Sequence, residues 1–235
     1  MRKATGFEEI STPQSNGLTR QLGSKCVKIR NFYSVKKIFG QIFVVFAVIS
    51  SSAQSTEPLE TAIFAGGCFW CMEEAFEQIE GVVKVESGYT GGIIENPSYD
   101  MVSQGKTKHL EAIRVTYNPM IIQYENLLGG FWDNVDPFDG EGQFCDQGEH
   151  YRSAVFYGDE KERKAAVKTK EALKRKLASR VQIHTMILPR KKFYPAEEYH
   201  QDYYKKNPYR YNYYKFRCGR SQRLKEIKIS SFTRG

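Results

Sequence analysis

The chain has 235 residues, of which 40% are hydrophobic and 14% aromatic, enough for the packed core of a globular protein. Its formal net charge of +8 is concentrated at the N-terminus, because residues 1–53 hold eight basic and two acidic residues. The remainder carries a formal charge of only +2, which argues against nucleic acid or an anionic membrane as a global electrostatic partner.

Residues 36–53 have the pattern of a secretory signal peptide. Lys36 and Lys37 precede an apolar stretch of about 12 residues, and a small-x-small cleavage site ends at Ala53. The apolar stretch is too short to span a bilayer permanently. We therefore predict a secreted or periplasmic protein whose mature chain begins near Gln54.

The segment ahead of this signal is longer than usual. We interpret residues 1–34 as lying upstream of the true translation start, which we place at Val35 and a non-AUG codon. The basic, acid-free composition of residues 10–37 also allows organelle targeting, and a cytoplasmic location is a further alternative. The sequence thus predicts an extension with a signal peptide over residues 1–53 and a linker over residues 54–60.

An apolar run at residues 62–65 predicts a short strand, and Gly66 and Gly67 permit a tight reversal into a helix that starts at Phe69. Cys68 therefore stands at a helix N-terminus, where free N–H groups and the helix dipole favour an anion. We expect its thiol to ionise more readily than a free cysteine and to act as a nucleophile. A buried structural cysteine is the alternative interpretation.

The remaining predicted elements alternate between strands and helices. The predicted strands cover residues 82–89, 109–117, 153–157 and 181–188. The predicted helices cover residues 99–103, 124–135, 159–180 and 196–205, and Gly81 is interpreted as the C-cap of the first helix. This order predicts a compact two-layer α/β sandwich over residues 60–215.

A nucleophilic thiol needs an acid or a base nearby. Glu111 interrupts the apolar pattern of its strand, but a solvated strand-face glutamate is the favoured interpretation. Asp146 and Tyr151 lie in and just after the glycine-bearing loop of residues 136–150, a kind of loop that often carries function. Tyr99 opens a predicted helix, and each of these residues alone is more often a turn residue or a core tyrosine.

Metal and nucleic-acid sites are weakly supported. The four histidines show no ligand spacing, and Cys68 and Cys71 form only half of a zinc ribbon. The basic, tyrosine-rich residues 203–215 have the composition of a single-stranded nucleic-acid platform, but such a segment is more often an arm wrapping the domain. We therefore predict no metal, no other cofactor and no nucleic-acid partner.

Several short motifs follow one another along the predicted domain. They are Gly66-Gly67-Cys68-Phe69-Trp70 with Glu73, Gly88-Tyr89-Thr90-Gly91-Gly92, Asn96-Pro97-Ser98-Tyr99, His109-Leu110-Glu111-Ala112, Phe131-Trp132 with Asp136-Pro137, Gln147-Gly148 with Tyr151-Arg152-Ser153-Ala154, and Glu197 with His200-Gln201. From about residue 61 to residue 209, they resemble the A class of peptide methionine sulfoxide reductases. The resemblance implies an α+β fold with a mixed sheet of the ferredoxin-like kind, a catalytic domain over residues 61–215 and a tail over residues 216–235.

The resemblance also implies catalytic roles. Cys68 would attack the sulfur of a methionine S-sulfoxide, while Glu111, helped by Tyr99 and Tyr151, protonates the departing oxygen. Methionine then leaves, and Cys68 becomes a sulfenic acid. The residues implied to shape the substrate pocket are Phe69 and Trp70 around the methyl group and Asp146 on the polar side. The expected function is repair of oxidised methionine, free or in proteins.

A second thiol must resolve the sulfenic acid, and thioredoxin or a periplasmic thiol reductant must then reduce the disulfide. Cys218 is the first candidate, because a mobile tail thiol flanked by cations is suited to reach another cysteine. Cys71 and Cys145 are the alternatives, since this chain lacks the glycine-rich tail with two cysteines seen in many members of the family. The enzyme is expected to be a monomer.

Two rival interpretations stay open. Cys68-x-x-Cys71 is also the motif of a thiol–disulfide oxidoreductase, in which Cys71 would be essential. The third interpretation is a non-catalytic nucleic-acid-binding module that uses the tyrosine-rich tail.

Overall fold

The computed structural model describes residues 58–176 and 182–227, which form a mixed α/β fold around a central sheet. The predicted N-terminal extension and signal peptide lie outside the described residues, as do residues 228–235 of the predicted tail. Within the part of the chain that is described, no helix has the length and apolar character needed to cross a membrane.

Strands and helices alternate along the chain. The strands are β1 (Glu60–Ala65), β2 (Val82–Thr90), β3 (Leu110–Tyr117), β4 (Gly142–Gln143), β5 (Asp146–Gln147), β6 (Ala154–Tyr157), β7 (Met186–Pro189) and β8 (Tyr194–Pro195). The helices are α1 (Phe69–Glu77), α2 (Tyr99–Ser103), α3 (Tyr124–Trp132), α4 (Glu160–Lys176), α5 (Tyr203–Lys206), α6 (Pro208–Arg217) and α7 (Arg220–Ile227). A single 3₁₀ turn, Glu149–Tyr151, precedes β6 within these described elements.

Most elements predicted up to residue 176 are confirmed. Three expectations are wrong, one for Gly81 and two for elements beyond residue 180. Gly81 does not cap α1, because the helix ends at Glu77 with Gln78 as its cap, and Gly81 instead supplies a turn with φ +90°. The helix expected over residues 196–205 begins only at Tyr203. The strand expected over residues 181–188 begins only at Met186.

The central sheet has six strands in the order β7-β6-β1-β3-β2-β8. The pairs β1–β3, β1–β6, β2–β3 and β2–β8 are antiparallel. β6 and β7 are parallel, so the sheet is mixed. β4 and β5 form a separate two-stranded ribbon within the loop that was predicted over residues 136–150.

Alternate residues of the central strands face opposite sides of the sheet. Phe64 of β1 belongs to the main core, where its ring lies 5.3 Å from the ring of Phe76 and 5.4 Å from that of Phe131. Its neighbours Ile63 and Ala65 belong to a second cluster on the other face. Burying an aromatic ring such as Phe64 contributes about 2–3 kcal/mol, so this face anchors α1 and α3 against the sheet.

The C-terminal residues are helical and pack on the domain. Tyr211 of α6 is 1% exposed, and Arg220 and Ile227 of α7 are also buried. The expectation of a mobile tail is therefore wrong for residues 216–227, and the boundary predicted after residue 215 falls inside α6.

Candidate active site

Cys68 occupies the sharp turn between β1 and α1. It is the N-cap of α1, with φ −51° and ψ 116°, and its side chain makes no capping hydrogen bond. Gly67 before it has φ +80°, which a larger residue rarely adopts. A Cβ on Gly67 would also lie 2.5 Å from Cβ of Gln143, so the turn requires glycine at this position. The predicted position of Cys68 at a helix start is confirmed.

Glu111 lies on the helix-facing side of β3, because it shares its face with Ile113 and Val115 of the main core. It is 2% exposed, so the expectation of a solvated glutamate is wrong. Its Oε2 accepts a hydrogen bond of 3.1 Å from the backbone N–H of Phe69, the first residue of α1. Burial raises the pKa of Glu111 to about 8, so the carboxyl is a proton donor at neutral pH.

A small cavity of about 50 Å³ brings the predicted site residues together. Its lining residues are Cys68, Phe69, Trp70, Tyr99, Glu111, Asp146, Tyr151 and Tyr214. The first seven are the catalytic and substrate-binding residues expected from the sequence. Since a water molecule takes up about 30 Å³ in the liquid, the space is on the scale of one or two small groups.

Tyr214 is the site residue that the sequence analysis missed. Its hydroxyl donates a hydrogen bond of 2.5 Å to Oδ2 of Asp146, and it also interacts with the thiol of Cys68. Burial raises its pKa, so the phenol stays protonated and acts as a donor. The available signal was the spacing of Tyr211 and Tyr214, which share one face of a helix at i, i+3.

The aromatic side chains that line the cavity are held in place by residues of α5 and of the turn before it. The indole of Trp70 stacks on Tyr203 with ring centroids 3.8 Å apart, and its Nε1 donates to Nδ1 of His200 at 3.2 Å. Glu197 accepts hydrogen bonds of 2.8 Å from the backbone N–H of Tyr99 and from the hydroxyl of Tyr89. These contacts fix the rings that line the cavity.

Cys71 is a free, buried thiol one helical turn after Cys68. Its backbone N–H donates to the carbonyl of Cys68 at 3.1 Å. The hydrogen bond with Cys68, helped by the charge of Arg220, lowers the pKa of Cys71 to about 6 against the opposing effect of burial. The thiolate of the pair is therefore favoured at Cys71.

The expected ready ionisation of Cys68 is wrong for the resting site. Burial, followed by the neighbouring Cys71, raises the pKa of Cys68 well above its ordinary value of 9.0. The helix N-terminus does not stabilise a thiolate at Cys68, because the N–H of Phe69 donates to Glu111 and because the thiol is only 5% exposed.

Cys145 and Cys218 form a disulfide that ties the loop of Asp146 to the end of α6. Cys218, the first candidate for the resolving thiol, has its sulfur bonded to Cys145, whereas Cys71 is free. The physical reason is that the tail folds as α6 and α7, which carries Cys218 to the ribbon of β4 and β5.

Two groups within residues 58–176 and 182–227 hold three potential metal ligands within 4.8 Å of one another. In the first, the sulfurs of Cys145 and Cys218 are bonded to each other beside Asp146. In the second, Glu77 is ion-paired with Lys205, and Glu73 accepts hydrogen bonds from the N–H of Asp202. Both groups thus have competing partners for their ligand atoms.

A buried cysteine at a helix start, a protonated buried acid and a second thiol one turn away are the parts of a cysteine-based redox enzyme on a mixed α/β fold. The family model described as peptide methionine sulfoxide reductase matches residues 60–231. The chain belongs to the peptide methionine sulfoxide reductase family.

Curated relatives agree with this assignment. The chain is 49% identical over 170 residues to the peptide methionine sulfoxide reductase MsrA of Bacillus licheniformis, covering 72% of this chain and 94% of the relative. It is 46% identical over 193 residues to MsrA 2 of Caulobacter vibrioides, covering 80% of this chain and 97% of the relative.

Solved structures support the same fold. Methionine sulfoxide reductase A of Corynebacterium diphtheriae matches with a TM-score of 0.61 and 34% identity, covering 64% of this chain and 76% of that chain. Reduced Mxr1 of Saccharomyces cerevisiae matches with a TM-score of 0.60 and 34% identity, covering 64% of this chain and 86% of that chain.

Proposed function

We propose that this protein reduces methionine S-sulfoxide, free or within peptides, to methionine and thereby repairs oxidised protein. The observation that carries the proposal is the convergence of the Cys68 thiol and the protonated Glu111 carboxyl in one small aromatic cavity. The family assignment supports the same reaction.

The first half-reaction transfers oxygen from the substrate to Cys68. Cys68 passes its proton to the thiolate of Cys71 and attacks the sulfoxide sulfur, while Glu111 gives its proton to the sulfoxide oxygen. A bond forms between Sγ of Cys68 and the sulfoxide sulfur, and the S–O bond of the substrate breaks. The released hydroxide then attacks Sγ of Cys68 and breaks the new S–S bond, so methionine leaves reduced and Cys68 becomes a sulfenic acid. Protonation is needed because a sulfoxide oxygen is a poor leaving group until it carries a proton.

Tyr99 and Tyr151 are the proposed helpers of Glu111. Both line the cavity beside Cys68, and the pKa of each phenol is raised, first by burial, so both remain hydrogen-bond donors at neutral pH. Donors of this kind stabilise the charge that develops on the oxygen. Asp146 holds the polar side of the cavity through its bond with Tyr214.

Cys71 is the proposed resolving thiol. It is free, it interacts with Cys68, and a Cys-x-x-Cys disulfide can form at the start of a helix. Its sulfur attacks Sγ of Cys68, an S–S bond forms, the S–O bond breaks, and the oxygen leaves as water. A dithiol protein of the thioredoxin class, or a periplasmic equivalent, then supplies two electrons to the disulfide.

An aromatic groove outside the cavity supports peptide substrates. The groove has a volume of about 480 Å³ and shares Trp70 and Tyr214 with the inner cavity. Its rim carries Tyr209 and Tyr213, which are 92% and 69% exposed. Residues flanking a methionine sulfoxide would lie here, so Tyr213→Ala is expected to raise KM for a peptide more than for a single blocked amino acid.

Three further expectations from the sequence extend the proposal. The ferredoxin-like class is supported by the antiparallel order β6-β1-β3-β2, in which β3 lies between β1 and β2 and so splits the first βαβ unit.

The secreted or periplasmic location and the monomeric state are proposed from sequence alone. Fractionation of cells that express the full chain, with light scattering of the purified protein, tests both.

The test of the main proposal is turnover of the separate S and R epimers of N-acetylmethionine sulfoxide with dithiothreitol. Reduction of the S epimer alone, lost in Cys68→Ser, is the expected result. Turnover of neither epimer, together with reduction of insulin disulfides that depends on Cys71, would replace the proposal with a thiol–disulfide oxidoreductase.

A further inference from the structure

The two active-site thiols open to different cavities. The substrate cavity is lined by Cys68 and not by Cys71. A second cavity of about 290 Å³ is lined by Cys71 and not by Cys68, and its other walls include Glu74, Lys215 and Arg220. The C-terminal helices therefore build a separate environment around the second thiol.

Arg220 is an unusual member of this cavity because its charge is buried without a carboxylate partner. It is 3% exposed, and its guanidinium donates to the carbonyl oxygens of Gly66 and Asn134 and to Sδ of Met72. None of the ion pairs found in the described ranges includes Arg220. Buried arginines are normally paired, since an isolated buried charge is costly.

The other cation of the cavity is already neutralised. Nζ of Lys215 forms an ion pair with Glu74. The hydroxyl of Tyr211 and the charge of Lys215 also lower the pKa of Cys71, but both do so less than Arg220. Burial raises the pKa of Asp146 and Arg220 acts to lower it, although no ion pair joins the two side chains.

We propose that Arg220 is a positioning residue that serves as the counter-charge of Cys71 and holds it as the thiolate that attacks the sulfenic acid of Cys68. The proposal rests on the proposed resolving role of Cys71. In the step that it assists, Cys71 releases its proton, the Cys71–Cys68 S–S bond forms, and the departing hydroxyl takes up a proton to leave as water. The lowered pKa of Cys71 agrees in direction, with the hydrogen bond from Cys68 as its largest cause and Arg220 as a further one.

The test measures the ionisation of Cys71 directly, in the full chain carrying Cys68→Ser, which keeps a hydrogen-bond donor at that position. The rate of iodoacetamide labelling is followed from pH 5 to 9 by mass spectrometry of the peptide that contains Cys71. Arg220→Gln removes the charge, and Arg220→Lys retains it. The matched control is Arg223→Gln on the same helix, because Arg223 pairs with Asp136 and does not line the cavity.

Arg220→Gln is expected to raise the pH at which the labelling rate is half-maximal by about one unit. At a pH well below this midpoint, labelling of Cys71 is then expected to be about tenfold slower. Arg220→Lys and Arg223→Gln are expected to keep the parent midpoint. An unchanged midpoint in Arg220→Gln, or an equal shift in Arg220→Lys, would overturn the proposal, because charge would then not be the cause. If Arg220→Gln does not fold, Arg220→Met takes its place, because it keeps an unbranched side chain without the charge, and the same upward shift is expected; an unchanged midpoint in Arg220→Met would overturn the proposal.

Labelling involves no methionine sulfoxide, so its outcome is independent of the proposed reaction. A chain that turns over neither epimer but shows the shift would refute the proposed function and retain the link between Arg220 and Cys71. In the active enzyme, Arg220→Gln is also expected to increase the fraction of Cys68 sulfenic acid trapped by dimedone.

Discussion

Replacing Glu111 with glutamine is expected to abolish turnover and to stabilise the fold. Glutamine keeps an oxygen that accepts the hydrogen bond from the N–H of Phe69, so the geometry at the start of α1 is preserved. It carries no acidic proton for the sulfoxide oxygen, and loss of a general acid typically costs about 10²–10⁴ in rate. It also removes a buried group whose ionisation the fold opposes.

The stability gain follows from the pKa of Glu111, which burial raises from an ordinary 4.5 to about 8. Below pH 4.5 the carboxyl is protonated in both the folded and the unfolded chain, so there is no penalty. As the pH rises, ionisation stabilises only the unfolded chain, and by pH 7 this costs the folded state about 3 kcal/mol. The penalty levels off above about pH 8, where the folded state ionises too.

The assay is thermal unfolding of the wild type and Glu111→Gln from pH 4 to 9. Removing about 3 kcal/mol corresponds to roughly 6–12 °C in Tm for a chain of this length. The advantage of the variant is expected to be small near pH 4.5 and to grow toward pH 8. A difference in Tm that does not change with pH would refute the reasoning, because Glu111 would then ionise equally in both states.

Glu86→Gln on the neighbouring strand β2 is the matched control. Burial raises the pKa of Glu86, but hydrogen bonds from Lys84 and Arg114 outweigh it and hold the pKa below its ordinary value. Its charge therefore stabilises the fold above the unfolded pKa, and this contribution is lost as the pH falls. Glu86→Gln should thus lower Tm at neutral pH, the opposite sign to Glu111→Gln, and leave turnover intact.

Three further changes test the rest of the site. Cys71→Ser is expected to release one methionine per active site and then stall, with Cys68 trapped by dimedone; sustained turnover would assign resolution to another thiol. Tyr214→Phe removes the hydroxyl that bonds the pocket carboxylate and should lower kcat/KM by about tenfold, whereas an unchanged value would reduce its role to packing. Cys145→Ser with Cys218→Ser opens a disulfide that spans a sequence separation of 73 residues. In urea without reductant it should cost about 4 kcal/mol of stability while resolution persists, and loss of resolution would return Cys218 to that role.

Local features of the site could be predicted because they depend on neighbouring residues alone. Gly66 and Gly67 permit the reversal that places Cys68 at the start of α1, and the predicted strand and helix on either side are confirmed. The identity of the acid could not be fixed in the same way. Alternation along β3 gives two faces, and only the packing of α1 decides that the face of Glu111 is buried.

Features that depend on distant parts of the chain were predicted wrongly or missed. The helix dipole favours a thiolate at Cys68, but burial and a thiol one turn away reverse the direction of the pKa. Tyr214 reaches Asp146 across 68 residues of sequence, and Cys218 reaches Cys145 across 73. Such contacts exist only because α6 folds back on the domain, which the tyrosine-rich composition did not reveal.

In the proposed mechanism, the division of the two thiols between two cavities separates the two half-reactions in space. The substrate cavity of about 50 Å³ is lined by Cys68 and by the aromatic side chains that would hold the substrate in the proposed reaction. Cys71 contacts Cys68 from within the helix and opens to the larger cavity of about 290 Å³ beside Arg220. Electrons can therefore enter on the side of Cys71 without passing through the substrate cavity. The raised pKa of Cys68 keeps that thiol protonated and less easily oxidised until a sulfoxide is bound.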